Sequence, residues 1–188
     1  MLELTKAHRQ ALALHEAGHL LAIHETFYYR IAKPLGAAIR PTGGVVYFKH
    51  EQLTEKPSTL LDRAKRVYAY TSDSPEARMW CTMEVSVAVA GAAGVRALGS
   101  PLWFGQVGGN DLVDALGAVQ AVYGCSQSTA HFHVQFLLAV LTDRWRAEPE
   151  TLKRLSDSLA SQETLLWDDA VKIIEATKKS GGSLPIPA

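Results

Sequence analysis

An apolar segment near the middle of the chain, residues 85–98, most constrains what this sequence can fold into. Ser74 and Pro75 precede it with residue types that start helices, and Gly91 and Gly94 within it allow a neighbouring helix to pack closely. A helix that is apolar on every side has to be buried, but this one is too short to span a bilayer. The segment therefore predicts a helix in the core of a domain, without membrane insertion.

Five other segments show the periodicity of amphipathic helices, and one part of the chain favours strands. The predicted long helices, the central one included, cover about residues 6–25, 75–98, 110–123, 128–146, 150–160 and 167–178, with a short helix at 60–70. Thr5 and Asn110 are predicted helix caps. β-Favouring runs at 27–31 and 45–48 flank the turn residues 41–44. The predicted fold is mainly α, with a small antiparallel β-sheet between the first and second long helices.

The length and composition fit one globular domain. We expect a single domain over residues 1–179 and a disordered tail at 180–188. Lys plus Arg and Asp plus Glu both number 19, so the charge balance does not favour a nucleic-acid partner. The N-terminus shows no targeting signal, and Cys81 and Cys125 form no CxxC pair, which indicates a cytoplasmic protein with free thiols.

The chemistry of the sequence centres on His15-Glu16-Ala17-Gly18-His19, which lies inside the first predicted helix. On a helix, a spacing of four residues rotates a side chain by only about 40°, so His15 and His19 project from one face, one turn apart. Two imidazoles placed in this way can bind one zinc ion, and Glu16 beside them can act as the general base for a water molecule. The motif predicts a zinc site that hydrolyses peptide bonds.

A catalytic zinc ion needs a third protein ligand and an open fourth position. Asp111 follows a glycine-bearing loop at the start of a predicted helix, where the helix dipole favours a carboxylate. That position equally suits an acid that only stabilises the helix, and Asp114, one turn further on, is a competing ligand. Glu84 on the central helix is another candidate, whereas His131 and His133 would share a face on a strand but not on a helix. Local sequence alone leaves the third ligand open.

The zinc motif continues as Leu20-Leu21-Ala22, and further characteristic segments follow it in a fixed order. These segments are Ile39-Arg40-Pro41 with Gly43-Gly44-Val45, then Ala90-Gly91, then Gly108-Gly109-Asn110-Asp111-Leu112, and finally a pattern of leucines and acids between Leu152 and Ile174. Together they resemble the peptidase domain of the FtsH family of ATP-dependent zinc metalloproteases.

The resemblance implies that His15, His19 and Asp111 are the zinc ligands and that Glu16 is the general base. It also implies a mostly helical peptidase fold and a substrate of flexible or unfolded polypeptide, for which the strand near 45–48 is a candidate docking edge. The expected cofactor is therefore zinc, and the expected activity is that of a zinc metalloendopeptidase.

The sequence also departs from the family pattern. It contains no GxxxxGK[ST] phosphate loop and no membrane anchor, so we expect a stand-alone domain that acts without ATP, as a homo-oligomer or with a partner unfoldase. The paired acids expected after Gly91 are absent, so a hydrogen-bond partner for the zinc histidines is either missing or supplied from elsewhere in the chain. Two alternatives stay open: a narrow regulatory HExxH protease of another lineage, with Glu84 or a histidine as third ligand, and a non-catalytic adaptor module derived from a peptidase.

Overall fold

The computed structural model describes residues 5–40, 43–48, 74–99 and 109–180, and this part of the chain is mainly helical, as predicted. Its elements are, in chain order, α1 (Lys6–Glu25), α2 (Tyr29–Ala32), β1 (Pro34–Arg40), β2 (Gly43–Phe48), α3 (Pro75–Ala97), α4 (Gly109–Tyr123), α5 (Gln127–Ala147), α6 (Glu150–Gln162), β3 (Thr164–Leu166) and α7 (Trp167–Ser180). The predicted short helix at 60–70 and residues 181–188 of the predicted tail lie outside the described residues, whereas Ser180 ends α7. None of the described helices combines the length and the apolar character needed to cross a membrane.

Polar caps start two of the long helices where the sequence predicts them. Oγ1 of Thr5 accepts a hydrogen bond from the amide three residues further on at the start of α1, and Oγ of Ser74 does the same at the start of α3. Each cap satisfies an amide that the helix geometry leaves without a partner. The predicted cap at Asn110 is wrong, because α4 already begins at Gly109, where a positive φ of 57° redirects the chain.

The described strands form one antiparallel sheet in the order β2-β1-β3. β1 and β2 form the small antiparallel sheet predicted between the first and second long helices, although β1 was not one of the predicted strands. β3 was not predicted, because three residues are too few to show the two-residue periodicity of a strand. It joins from the C-terminal part of the chain, where Gly36 of β1 pairs with Leu166. A side chain at Gly36 would collide with the carbonyl oxygen of Leu165, so the glycine permits this close pairing.

The predicted strand at 27–31 is wrong, because this part of the chain forms a tight corner followed by the short helix α2. Phe27 and Lys33 adopt left-handed φ values of 59° and 44°, which interrupt any extended run. An aromatic side chain that suggested a strand packs against another element instead, since the ring of Tyr29 lies 5.9 Å from that of Trp167 on α7. Tertiary packing therefore overrides the local β preference here.

α1 and α3 cross at the centre of the molecule, at a place where glycines replace larger residues. A Cβ on Gly18 of α1 would collide with the carbonyl oxygen of Ala90 on α3, and a Cβ on Gly94 would lie 2.8 Å from the carbonyl oxygen of Leu14. Only glycine lets the two backbones approach this closely. The close packing predicted for Gly91 and Gly94 is confirmed, and it brings the HExxH segment against α3.

Candidate metal centre

His15 and His19 lie one turn apart on α1, and their Nε2 atoms are 3.1 Å apart. Nδ1 of His19, on the other side of its ring, lies 2.8 Å from the carbonyl oxygen of Val87 on α3 and donates a hydrogen bond to it. Because a carbonyl can only accept, this bond puts the proton on Nδ1 and leaves the lone pair on Nε2 free to bind a metal. The orienting partner is a backbone group, which no pattern of side chains in the sequence could reveal.

The His15 ring lacks a hydrogen bond of the kind that orients His19. Its Nδ1 is buried and forms no hydrogen bond with any of the described residues. The sequence lacks the paired acids that the family resemblance leads one to expect after Gly91, and for this ring the described part of the chain supplies no substitute. The orientation of His15 therefore depends on its position in α1, on packing against α3 and on the contacts of its Nε2, rather than on a hydrogen bond at Nδ1.

Asp111, in the first turn of α4, completes the cluster. Its Oδ2 lies 3.5 Å from Nε2 of His15 and 3.7 Å from Nε2 of His19. Burial raises the pKa of Asp111, but hydrogen bonding to His15 and the charges of His19 and His15 outweigh it, so the pKa of this carboxyl is held below its usual range. Asp111 is therefore ionised at neutral pH and suited to bind a cation. Asp114, the competing acid one turn further on, does not join the cluster.

Nε2 of His15, Nε2 of His19 and Oδ2 of Asp111 are spaced as the ligands of one zinc ion would be. They all lie within 4.8 Å of one another. A circle drawn through atoms with separations of 3.1, 3.5 and 3.7 Å has a radius of about 2.0 Å, which matches zinc–nitrogen and zinc–oxygen bond lengths of about 2.0–2.1 Å. Two imidazoles and a carboxylate are also donor types that zinc prefers. The residues present therefore fit zinc.

Gly91 of α3 makes room for the cluster. A Cβ at this position would lie 2.5 Å from Nε2 of His15 and 2.6 Å from Nε2 of His19, so the bare backbone of α3 forms the wall behind the ligand atoms. The Asp111 side chain is 35% exposed, against 18% for His15 and 10% for His19. The cluster thus opens towards solvent on the side of Asp111. Three protein donors among the described residues, with one open side, match the pattern of a catalytic zinc site.

Glu16 lies beneath β2, next to the two histidines. A Cβ on Gly44 of β2 would collide with the Glu16 carboxylate, so the strand backbone passes directly over it. Only 4% of Glu16 is exposed. Desolvation therefore raises its pKa to about 7, with His19 opposing the shift and Asp111 adding to it. A carboxyl group with a pKa near neutrality is suited to accept and return protons. The sequence marked Gly44 only as part of a turn and gave no sign of this contact.

The other candidate residues lie outside the cluster. Within the part of the chain that the structure describes, His15, His19 and Asp111 form the one group of three or more His, Cys, Asp or Glu residues that could hold a metal ion. Glu84 is buried on α3 and belongs to no such group. The histidines of α5 also belong to no such group. The fold thus brings together the residues that the family resemblance selects and separates them from the alternatives that local sequence allowed.

A scan against protein-family models gives no match to this sequence, and a search of curated proteins finds no significant match either. The likeness to the FtsH peptidase domain therefore rests on short sequence segments. The chemistry of the site has to be inferred from its own residues and their geometry.

Proposed function

We propose that this protein is a zinc-dependent metallopeptidase that hydrolyses peptide bonds in flexible or unfolded polypeptide. The observation that carries the proposal is the convergence of His15, His19 and Asp111 beside the buried carboxyl group of Glu16. A purely structural zinc site ordinarily has four protein ligands and has no use for a general base. Three ligands with an adjacent base are what metal-assisted hydrolysis requires.

Zinc bound by these residues would lower the pKa of a water molecule to about 7 and polarise the scissile carbonyl group. The protein itself would carry out the proton transfers. Glu16, with a pKa of about 7, can take a proton from the attacking water and return it to the leaving amine nitrogen. The hydrogen bond from His19 to Val87 keeps the metal-binding nitrogen of that ring directed at the cluster. Asp111 contributes a negative charge that favours cation binding.

The proposed substrate class rests on the family resemblance and on the position of the outer strand β2 next to the site. The FtsH peptidase domain cleaves unfolded polypeptide, and the present sequence contains no GxxxxGK[ST] loop with which to drive unfolding by ATP. We expect a substrate that is already flexible or that a partner unfoldase delivers. Among the described strands β2 is an outer one, and its backbone passes over Glu16, so an extended polypeptide paired with β2 would reach the site.

The substitution Glu16→Gln tests catalysis separately from metal binding. The amide cannot accept the proton, whereas all three ligands are unchanged, so we expect full zinc content and a loss of about 100- to 10,000-fold in peptide hydrolysis. The measurements are metal analysis of the purified protein and cleavage of a fluorescently labelled unfolded polypeptide. Glu175→Gln, at an exposed site on α7, is the matched control and should cleave like the parent. A parent protein that binds no zinc, or a Glu16→Gln variant as active as the parent, would contradict the proposal.

A second pair of variants tests the third ligand. Asp111→Ala removes an oxygen that lies close to both histidine nitrogens, so we expect this variant to lose zinc under conditions in which the parent retains it. Glu84→Ala should keep zinc, because Glu84 lies outside the cluster. The opposite result would favour an HExxH protease of another lineage, with Glu84 as the ligand.

One observation favours a function of a different class. Zinc-binding histidines ordinarily donate their second ring N–H to an acceptor, and Nδ1 of His15 has no such acceptor among the described residues. An adaptor module derived from a peptidase, which keeps its metal but no longer catalyses, would tolerate this loss. In that case the zinc-loaded parent and its Glu16→Gln variant would be equally inactive towards unfolded polypeptide.

A further inference from the structure

The outward face of α5 carries a row of exposed apolar side chains. Phe132, Phe136 and Val140 follow one another at intervals of four residues and are 75%, 64% and 44% exposed. This spacing keeps the three side chains on one face of the helix. The inward face is fixed in the core by several buried residues, which include Val134, Leu138, Leu141 and Trp145. The row therefore cannot turn inward without unpacking the helix.

The surface around this row almost lacks charge. Between residues 112 and 142, a stretch that covers most of α4 and α5, Asp114 is the only charged residue, although 20% of the whole chain is charged. Of the ten large apolar side chains exposed in the described part of the protein, five lie in this stretch. One of them, Tyr123 at the end of α4, adjoins α5, where its ring centroid lies 5.6 Å from that of His133. The apolar surface thus extends from α5 to the end of α4, where the charge of Arg78 on α3 acts on Tyr123.

We propose that this face binds a second copy of the chain, through an antiparallel pair of α5 helices related by a two-fold axis near Phe136. Nucleic acids and anionic membranes are recognised by clusters of Lys and Arg, and residues 112–142 contain neither residue type. A strongly charged protein partner would need opposite charges here, and these are missing as well. An uncharged apolar face is complementary to another of the same kind, and the protein itself supplies one. Charge depletion is also typical of homodimer interfaces.

The exposed apolar side chains supply about half of the area that one partner of a standard dimer interface buries. The row and Tyr123 together expose about 450 Å² of side chain, if a fully exposed aromatic side chain presents about 150–250 Å². A standard interface buries about 800 Å² per partner, and exposed polar or small residues on the same face of α5, such as Gln135 and Ala139, can supply the remainder. A patch of this size is comparable to the largest apolar patch of a typical monomer, about 300–600 Å², and such patches are often functional.

Charges at the end of the helix favour the antiparallel orientation. In a pair centred on Phe136, Phe132 of one copy meets Val140 of the other, and the helix dipoles oppose each other. A parallel pair would instead place Asp143 and Arg146 beside the same residues of the other copy, which brings like charges together. A two-fold contact also closes on itself and does not polymerise.

The substitution Phe136→Glu tests the interface, because it puts a charge from each copy at the proposed axis. Analytical ultracentrifugation from about 1 to 100 µM protein should show a dimer for the parent and a dissociation constant at least about tenfold higher for the variant. Leu166→Glu is the matched control, since Leu166 is 60% exposed but lies on β3, and it should dimerise like the parent. Circular dichroism verifies that both variants fold.

Cysteine cross-linking tests the orientation, in a Cys125→Ser background with Cys81 buried. Phe136→Cys should cross-link to itself, and Phe132→Cys should cross-link to Val140→Cys but not to itself. A parent that stays monomeric, or a dimer that Phe136→Glu does not weaken, would overturn the proposal. It would also be overturned by a monomer that binds zwitterionic phospholipid vesicles through Phe136, or by self-cross-linking of Phe132→Cys.

Discussion

Gly91 lies against the ring nitrogens of both HExxH histidines, so the absence of a side chain at this position is part of the candidate site. Gly91→Ala would place a methyl group 2.5–2.6 Å from the two Nε2 atoms. We expect the rings to be displaced and zinc affinity to fall by about tenfold or more, as measured by competition with a chromophoric chelator. Gly117→Ala is the control, because a Cβ at Gly117 has nothing within 4 Å. Equal zinc affinity in the two variants would show that the histidines do not need this space.

The buried carboxyl group of Glu16 predicts how the stability of the metal-free protein changes with pH. Its pKa is about 7 in the folded protein, against 4.5 for the free side chain, so the folded state binds this proton more tightly than the unfolded chain does. The resulting stabilisation is fully present below pH 4.5 and is lost as the pH rises through 7. Glu16→Gln does not titrate, so we expect it to gain about 3 kcal/mol over the parent between pH 4.5 and about 8.

Urea denaturation of both proteins without metal, at several pH values, measures this difference. Because all other titrating groups are shared by the parent and the variant, the pH-dependent part of the difference in unfolding free energy belongs to Glu16 and to its coupling with His19 and Asp111. A difference that stays constant with pH would show that burial does not raise the pKa of this group.

Among the elements, the crossing of α1 and α3 determines the site, because it holds the histidine helix against the backbone of α3. Gly18→Ala would insert a methyl group where the carbonyl oxygen of Ala90 lies, and the two helices would have to separate. We expect the free energy of unfolding to fall by about 1–3 kcal/mol, as measured by urea denaturation. Gly117→Ala, in open space on α4, should instead be neutral or slightly stabilising, since alanine favours a helix. A Gly18→Ala variant as stable as the parent would rule out the close crossing.

For the whole molecule, the candidate metal site joins parts that are distant along the chain. His15 and His19 come from α1, whereas Asp111 comes from α4, so a bound ion would link the first long helix to the third. Because zinc would bind the folded state, we expect it to raise the free energy of unfolding by about 4 kcal/mol when its free concentration is a thousandfold above Kd. Asp111→Ala should lose this gain, and denaturation with and without zinc measures it.

The apolar core does not depend on the metal. It includes long buried helices whose packing involves no ligand atom, such as the contact of α3 with α5. We therefore expect a chelator to remove zinc without loss of helical content in far-ultraviolet circular dichroism. Unfolding on removal of zinc would mean that the site is a structural one, as in small zinc-dependent domains.

The sequence by itself determined the features that depend on neighbouring residues. Capping at Thr5 and Ser74 and the periodicity of the long helices are local, so the helices could be located to within a few residues. The four-residue spacing of His15 and His19 placed both on one face of α1, because helix geometry needs no tertiary information. The glycines of the central helix likewise indicated a close contact with a neighbouring helix, though not with which one.

Only the tertiary structure decided what depends on distant parts of the chain. Local signals left Asp111 equal to a simple helix-stabilising acid, and its position beside the two histidines arises from the convergence of α4 with α1. The residue types at 27–31 favour a strand, but this part of the chain forms a corner in which Tyr29 packs against Trp167. The burial of Glu16 beneath Gly44 also arises from contacts between distant elements. Such contacts leave no periodicity in the sequence, because they depend on how whole helices and strands pack together.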